Sequence, residues 1–71
     1  MSTHNAATPH SDDDYIHAAH LMRGGGAFAS HLADAYFVAD RHNAAILRHA
    51  FAALFTRYYN LYLRMEEHAR Q

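Results

Sequence analysis

Between Ala44 and Met65 the apolar residues Ala44, Leu47, Phe51, Leu54, Tyr58, Leu61 and Met65 recur at alternating spacings of three and four without interruption. That is the a/d pattern of a heptad, which only an α-helix places on one side of its backbone. Phe55 and Tyr62 stand beside the pattern and widen the apolar face, which suits packing against more than one helix. The spacing predicts one long helix over about residues 41–67, on the order of 40 Å in length at 1.5 Å per residue.

The chain before it supplies shorter helices. Ser11 precedes Asp12, Asp13 and Asp14, an N-cap followed by acids where the helix dipole favours them. A helix is expected over about 12–23, with Tyr15, Ile16, Ala19, Leu21 and Met22 as its apolar positions, ending at Gly24, Gly25 and Gly26. Phe28, Leu32, Ala35, Tyr36 and Ala39 then mark one face of a second helix, expected over about 27–39. Its stripe and the next differ in direction by roughly 75° at 100° per residue, so a continuous helix would bury two different faces. Asp40, placed to cap a helix opening at Arg41, gives a mechanism for the break. Residues 1–10 are polar, hold the only proline and show no periodicity; they read as a flexible tail. The expected architecture is a single all-α domain over 11–71, a small bundle of three helices.

A chain of 71 residues sits where one core is barely sufficient. There are no cysteines, so neither disulfides nor thiolate metal sites contribute. Fifteen alanines favour helix, and the six basic residues are all arginine. Charge is divided: residues 1–40 carry five aspartates against Arg23, while residues 41–71 carry five arginines against Glu66 and Glu67. The first residues lack the basic start and apolar core of a secretory signal, and no apolar run reaches the roughly 20 residues of a membrane span. The expected location is cytoplasmic.

A second helix about 20 Å long covers only half of the long one. Tyr58, Tyr59, Leu61, Tyr62 and Met65 then overhang, and two outcomes are open: the first helix folds back over them, or they form a partner surface. Tyrosine and arginine dominate interface hot spots. Tyr58, Tyr59, Tyr62, Met65, Arg57 and Arg64 are accordingly the candidate partner-binding residues, the partner being another protein or a second copy. Arg41 and Arg48 flank the opposite side of the stripe. A small nucleic-acid-associated regulator using Arg41, Arg48, Arg57 and Arg64 is the alternative, although the two pairs project roughly 160° apart.

Eight histidines raise the question of metal. His17 with His20, and His31 with Asp34, have i, i+3 spacing, yet no HExxH is present and a closed zinc site needs four converging ligands. No metal or cofactor is expected. The Arg23–Gly26 run lacks the spacing and the lysine of a phosphate loop. Ser30 and His31, as sequence neighbours, point about 100° apart on a helix, and no carboxylate pair or nucleophile motif suggests an enzyme.

The pattern Gly25-Gly26-Ala27-Phe28, Leu32-Ala33-Asp34-Ala35-Tyr36, Ala39-Asp40, Asn43, Leu47, Ala50-Phe51, Leu54-Phe55 and Tyr58 covers roughly residues 25–59. It resembles small uncharacterised open reading frames of bacteriophages and mobile elements. The resemblance implies no activity and no catalytic residue. It implies a class in which short helical chains act by binding host proteins, including inhibitors of bacterial defence such as anti-CRISPR proteins, by steric occlusion.

Overall fold

The computed structural model describes residues 7–70, which form an all-helical domain. Among the described residues there are four helices: α1 (Asp12–Met22), α2 (Ala27–Val38), α3 (Arg41–Ala50) and α4 (Ala52–Ala69). The expected three-helix arrangement is therefore corrected, because the segment expected as one helix over 41–67 divides at Phe51.

The first boundaries follow from local chemistry. Ser11 accepts from the Asp14 backbone N–H, and Asp14 accepts in return from the Ser11 N–H, a reciprocal cap that starts α1. Gly26 enters α2 at φ 100°, a backbone conformation that side chains resist. Asp40 accepts from the Asn43 N–H at 2.8 Å and opens α3.

Phe51 has φ −117° and ψ 34°, outside the helical range, although no glycine or proline is near. Its own N–H still reaches the Leu47 carbonyl, and its carbonyl accepts from both Leu54 and Phe55. The bend gives the two halves different neighbours. Phe51 meets Phe28 of α2 edge-on at 5.8 Å, while beyond the bend Phe55 meets Tyr15 of α1 at 5.4 Å and Tyr36 of α2 at 5.1 Å.

α1 docks on α4. Tyr15 meets Phe55, and His17 stacks on Tyr62 at 4.2 Å. α1 and α2 run in opposite senses, since His20 meets Phe37 and Arg23 pairs with Asp34 at 3.3 Å. The core is Ala18, Ala19, Met22, Ala29, Leu32, Ala33, Tyr36 and Phe55. Its alanines let the helix backbones come close, and Phe55 and Met22 are its largest fully enclosed side chains.

Of the tail expected over 1–10, residues 1–6 lie outside the described residues. Ala7 is tied to α4: its N–H donates to Asn60 Oδ1 at 3.1 Å, and Asn60 Nδ2 donates to its carbonyl at 2.7 Å. Pro9 is buried.

Phe55→Ala removes the ring on which α1 and α2 converge. A loss of about 3–5 kcal/mol is expected, enough to unfold a domain of this size in large part, and urea titration followed by circular dichroism measures it.

Candidate partner-binding surface

The proposed partner residues divide into two groups on α4. At 100° per residue the buried side of this helix carries Phe55, Tyr59 and Tyr62, and lies roughly 100° or more around from Leu61. The heptad thus describes α3 and the bend, where Ala44, Leu47, Phe51 and Leu54 all pack on the core. Past the bend Tyr58 still packs on the core, but Leu61 and Met65 leave it and the flanking Phe55 and Tyr59 take over.

Tyr58, Tyr59 and Tyr62 are half-buried. Tyr58 packs against the core, and its hydroxyl donates to the Gly25 carbonyl at 3.4 Å. A Cβ on Gly25 would overlap that hydroxyl, so the middle glycine of the run is the one that admits the ring. Tyr62 is sandwiched between His17 and Tyr59, whose ring is stacked 6.4 Å away. Burial, followed by the nearby Asp14 carboxylate, raises the pKa of Tyr59, which keeps the phenol protonated. Asp14 is shifted the other way. The His10 backbone N–H, at 3.0 Å, is the main reason its carboxyl is held below the usual value; Ser11 and Tyr59 add to this against a smaller opposing effect of burial. One carboxylate thus caps α1 and lies beside a tyrosine of α4.

Arg57, Arg64 and Met65 remain on the outside together with Leu61 and His68. These five fall within an arc of roughly 100°. Leu61 is 36% and Met65 51% exposed. Neither Arg57 nor Arg64 forms an ion pair among the described residues. The result is an apolar strip bordered by two free guanidiniums and an imidazole.

Arg48 is differently placed from these. Its Nη1 donates to Asp12 and to the Tyr36 hydroxyl, both at 3.2 Å, and its guanidinium lies 5.1 Å from the Tyr15 ring. The Tyr36 hydrogen bond is the largest cause of its raised pKa. It joins α1, α2 and α3, and it borders an open cleft of about 400 Å³ with Asp12, Ile16, Phe37 and Arg41. Arg48 is thus part of the structure, whereas Arg57 and Arg64 are free. The four arginines do not share one face.

The histidine pairs noted in the sequence do not act as units. His17 stacks on Tyr62 and His20 lies tilted against Phe37, while Asp34 is paired with Arg23 rather than with His31. Among the described residues no three histidine or carboxylate side chains stand close enough to hold a metal ion. No helix among the described residues is long and apolar enough to cross a membrane.

A second exposed apolar face, on α2 and α3, is missing from the sequence reading. Val38 is 85%, Phe28 65% and Ile46 50% exposed. Its signal was available in the sequence: apart from tyrosine, α2 carries only His31 and Asp34 as ionisable residues, so it is apolar nearly all round.

Comparisons of the chain with known protein families, with curated proteins and with solved structures find no match.

Asp14 ties stability to pH with a definite sign. Because its folded pKa is lowered, its contribution is present above the ordinary value of 3.8 and is lost as pH falls through the lower folded value. Asp14→Ala should therefore melt below the wild type at neutral pH, and the gap should close as the pH is taken below that range. Thermal melts across a pH series measure it.

Proposed function

We propose that the chain is a protein-interaction module of phage or mobile-element type, acting in the host cytoplasm. It blocks a component of a defence complex, in the manner of anti-CRISPR proteins, by covering part of its surface with the outer side of α4. The observation that carries this reading is the strip of Leu61 and Met65 beside Arg57 and Arg64, which is apolar, exposed and cationic at once. Apolar contact supplies affinity, and unpaired arginines select a partner surface with acidic groups, since opposed potentials both speed encounter and fix orientation. A second copy is a poor occupant of this strip, because its own arginines would be brought alongside. Tyr58 contributes only its outer edge; Tyr59 and Tyr62 hold the helix in position from below.

The alternative nucleic-acid reading draws less support from the same geometry. Arg48 is committed to Asp12 and Tyr36, and Arg57 and Arg64 lie on a different helix from Arg41. A phosphate backbone needs a continuous cationic track.

The test is phage plaquing on a bacterium with an active CRISPR interference system that expresses the chain. The wild type should restore plaques. Arg57→Glu with Arg64→Glu, and separately Leu61→Asp with Met65→Asp, should abolish the effect while circular dichroism stays unchanged, since each lost hot spot weakens binding by roughly thirtyfold. A wild type without effect, or folded variants that keep full activity, would reject the assignment.

A further inference from the structure

α2 buries Ala29, Leu32, Ala33 and Tyr36 against the rest of the chain. On its opposite side Phe28, His31, Ala35 and Val38 are all exposed. Their spacing of three, four and three is that of a helix seam, two turns with apolar or small residues at a and d positions. Outward-facing Phe28 and Val38, at 65% and 85% exposure, are costly to leave in water on a helix with so little polar surface of its own.

The residue types in the seam say what fits it. Any stripe spaced three, four and three is symmetric about its midpoint, here Ala33, so Phe28 and Val38 lie five positions to either side and His31 and Ala35 two positions to either side. In an antiparallel pair of identical helices related by a two-fold axis, residue i meets residue j and j meets i. Phe28 of one copy then meets Val38 of the other, and His31 meets Ala35. The large ring is set against a shorter branched side chain, and the imidazole against a methyl group that leaves it room. No residue of the seam is forced against itself.

Charge points to the same occupant. No seam residue is an acid or an arginine; Asp34, on the flank, is neutralised by Arg23 at 3.3 Å, and Asp40, at the end, is occupied in capping Asn43. Two copies meet here without like-charge opposition, in contrast to the arginine-bordered strip of α4. The neighbouring helix adds to the face. Ile46 and Leu47 of α3 line a shallow depression of about 490 Å³ with Ala35, Val38, Ala39 and Asn43, and with Asp40 as its one charged residue, into which a side chain of the second copy can settle.

We infer that the chain forms a symmetric dimer through this face, with α2 lying antiparallel on α2 of a second copy and α3 of each closing the sides. Two helices of about 18 and 15 Å in length, each roughly 10 Å across, give a face of several hundred Å² per protomer. That is below the roughly 800 Å² per partner of a standard stable interface. The dimer is accordingly a weak one that forms in the micromolar range and above. The inference rests on α2 and not on α4, so it stands or falls separately from the function proposed above.

Light scattering after gel filtration, over protein concentrations from about 1 to 500 μM, reads the assembly directly. The mass should rise from 8.1 kDa towards twice that value with concentration. Val38→Asp should hold it at the monomer mass. Met65→Asp, at a comparably exposed site on α4, should behave as the wild type. His31→Leu should tighten the dimer by roughly tenfold, because a polar residue in a seam costs stability. The chain has no cysteines, which allows the register to be tested as well. H31C mixed with A35C under mild oxidation should give a covalent heterodimer in greater yield than either variant alone. A mass that stays at 8.1 kDa throughout, a Val38→Asp variant that dimerises like the wild type, or cross-linking with no preference for the mixed pair would each overturn the inference.

Discussion

Phe55 is where three helices meet, and the arrangement of the others follows from enclosing it. Tyr15 of α1 and Tyr36 of α2 approach its ring edge-on, at 5.4 and 5.1 Å, the geometry in which the positive edge of one aromatic ring faces the negative face of another. Close approach requires small residues nearby, and Ala18, Ala19 and Ala33 are fully buried for that reason. The aromatic cluster is closed on its polar side by Arg48, which satisfies the Tyr36 hydroxyl and Asp12 while covering the Tyr15 ring. Every buried side-chain nitrogen and oxygen among the described residues has a partner. The core is thus consistent but thin, since half of its eight buried apolar residues are alanines. A domain with so small a core has little tolerance for apolar surface left in water, and Val38, Phe28 and Met65 are therefore informative positions.

The parts of this fold that are readable from sequence are those determined by local chemistry. Ser11 with Asp14, the glycine run and Asp40 each set a helix boundary within one or two residues of where it falls, because a cap depends only on groups a few positions apart. The break at Phe51 is of another kind. No local group demands it; it arises because the residues before it pack on α2 and those after it pack on α1 as well. An a/d reading also assumes a repeat of 3.5, which belongs to supercoiled helices. Phe51, Phe55, Tyr59 and Tyr62 span eleven residues in three turns, a repeat near 3.67 that a straight helix follows more closely. Under that repeat Tyr59 joins the buried face and Leu61 with Met65 leave it.

The candidate surface is legible to the same limited extent. Apolar excess on the C-terminal helix is visible from composition alone, and Arg57, Arg64 and Met65 are indeed outside. Which of the tyrosines would be covered depends on where α1 lies, a tertiary fact. The α2 seam escapes notice for a related reason. Phe28, Leu32, Ala35 and Tyr36 look like one stripe, yet a helix with apolar residues nearly all round offers several such stripes. Only the position of α3 and α1 decides that Leu32 and Tyr36 are inside and Phe28 and Ala35 are outside.

Charge then separates two surfaces that hydrophobicity alone would treat alike. Both α2 and the end of α4 leave apolar side chains in water, but the four residues of the α2 seam carry no acid or arginine, while the α4 strip is bordered by two unpaired arginines. Desolvating a guanidinium against another guanidinium is unfavourable from both sides, whereas desolvating it against a carboxylate recovers much of the cost. A seam without acids or arginines favours its own copy, and a strip bordered by unpaired arginines favours an acidic partner. The two faces lie on different helices and call for partners of different chemistry. Where a dimer built on α2 leaves both α4 strips open, a target with two acidic sites at matching separation would be held by both at once, with an effective concentration for the second contact set by the span between them.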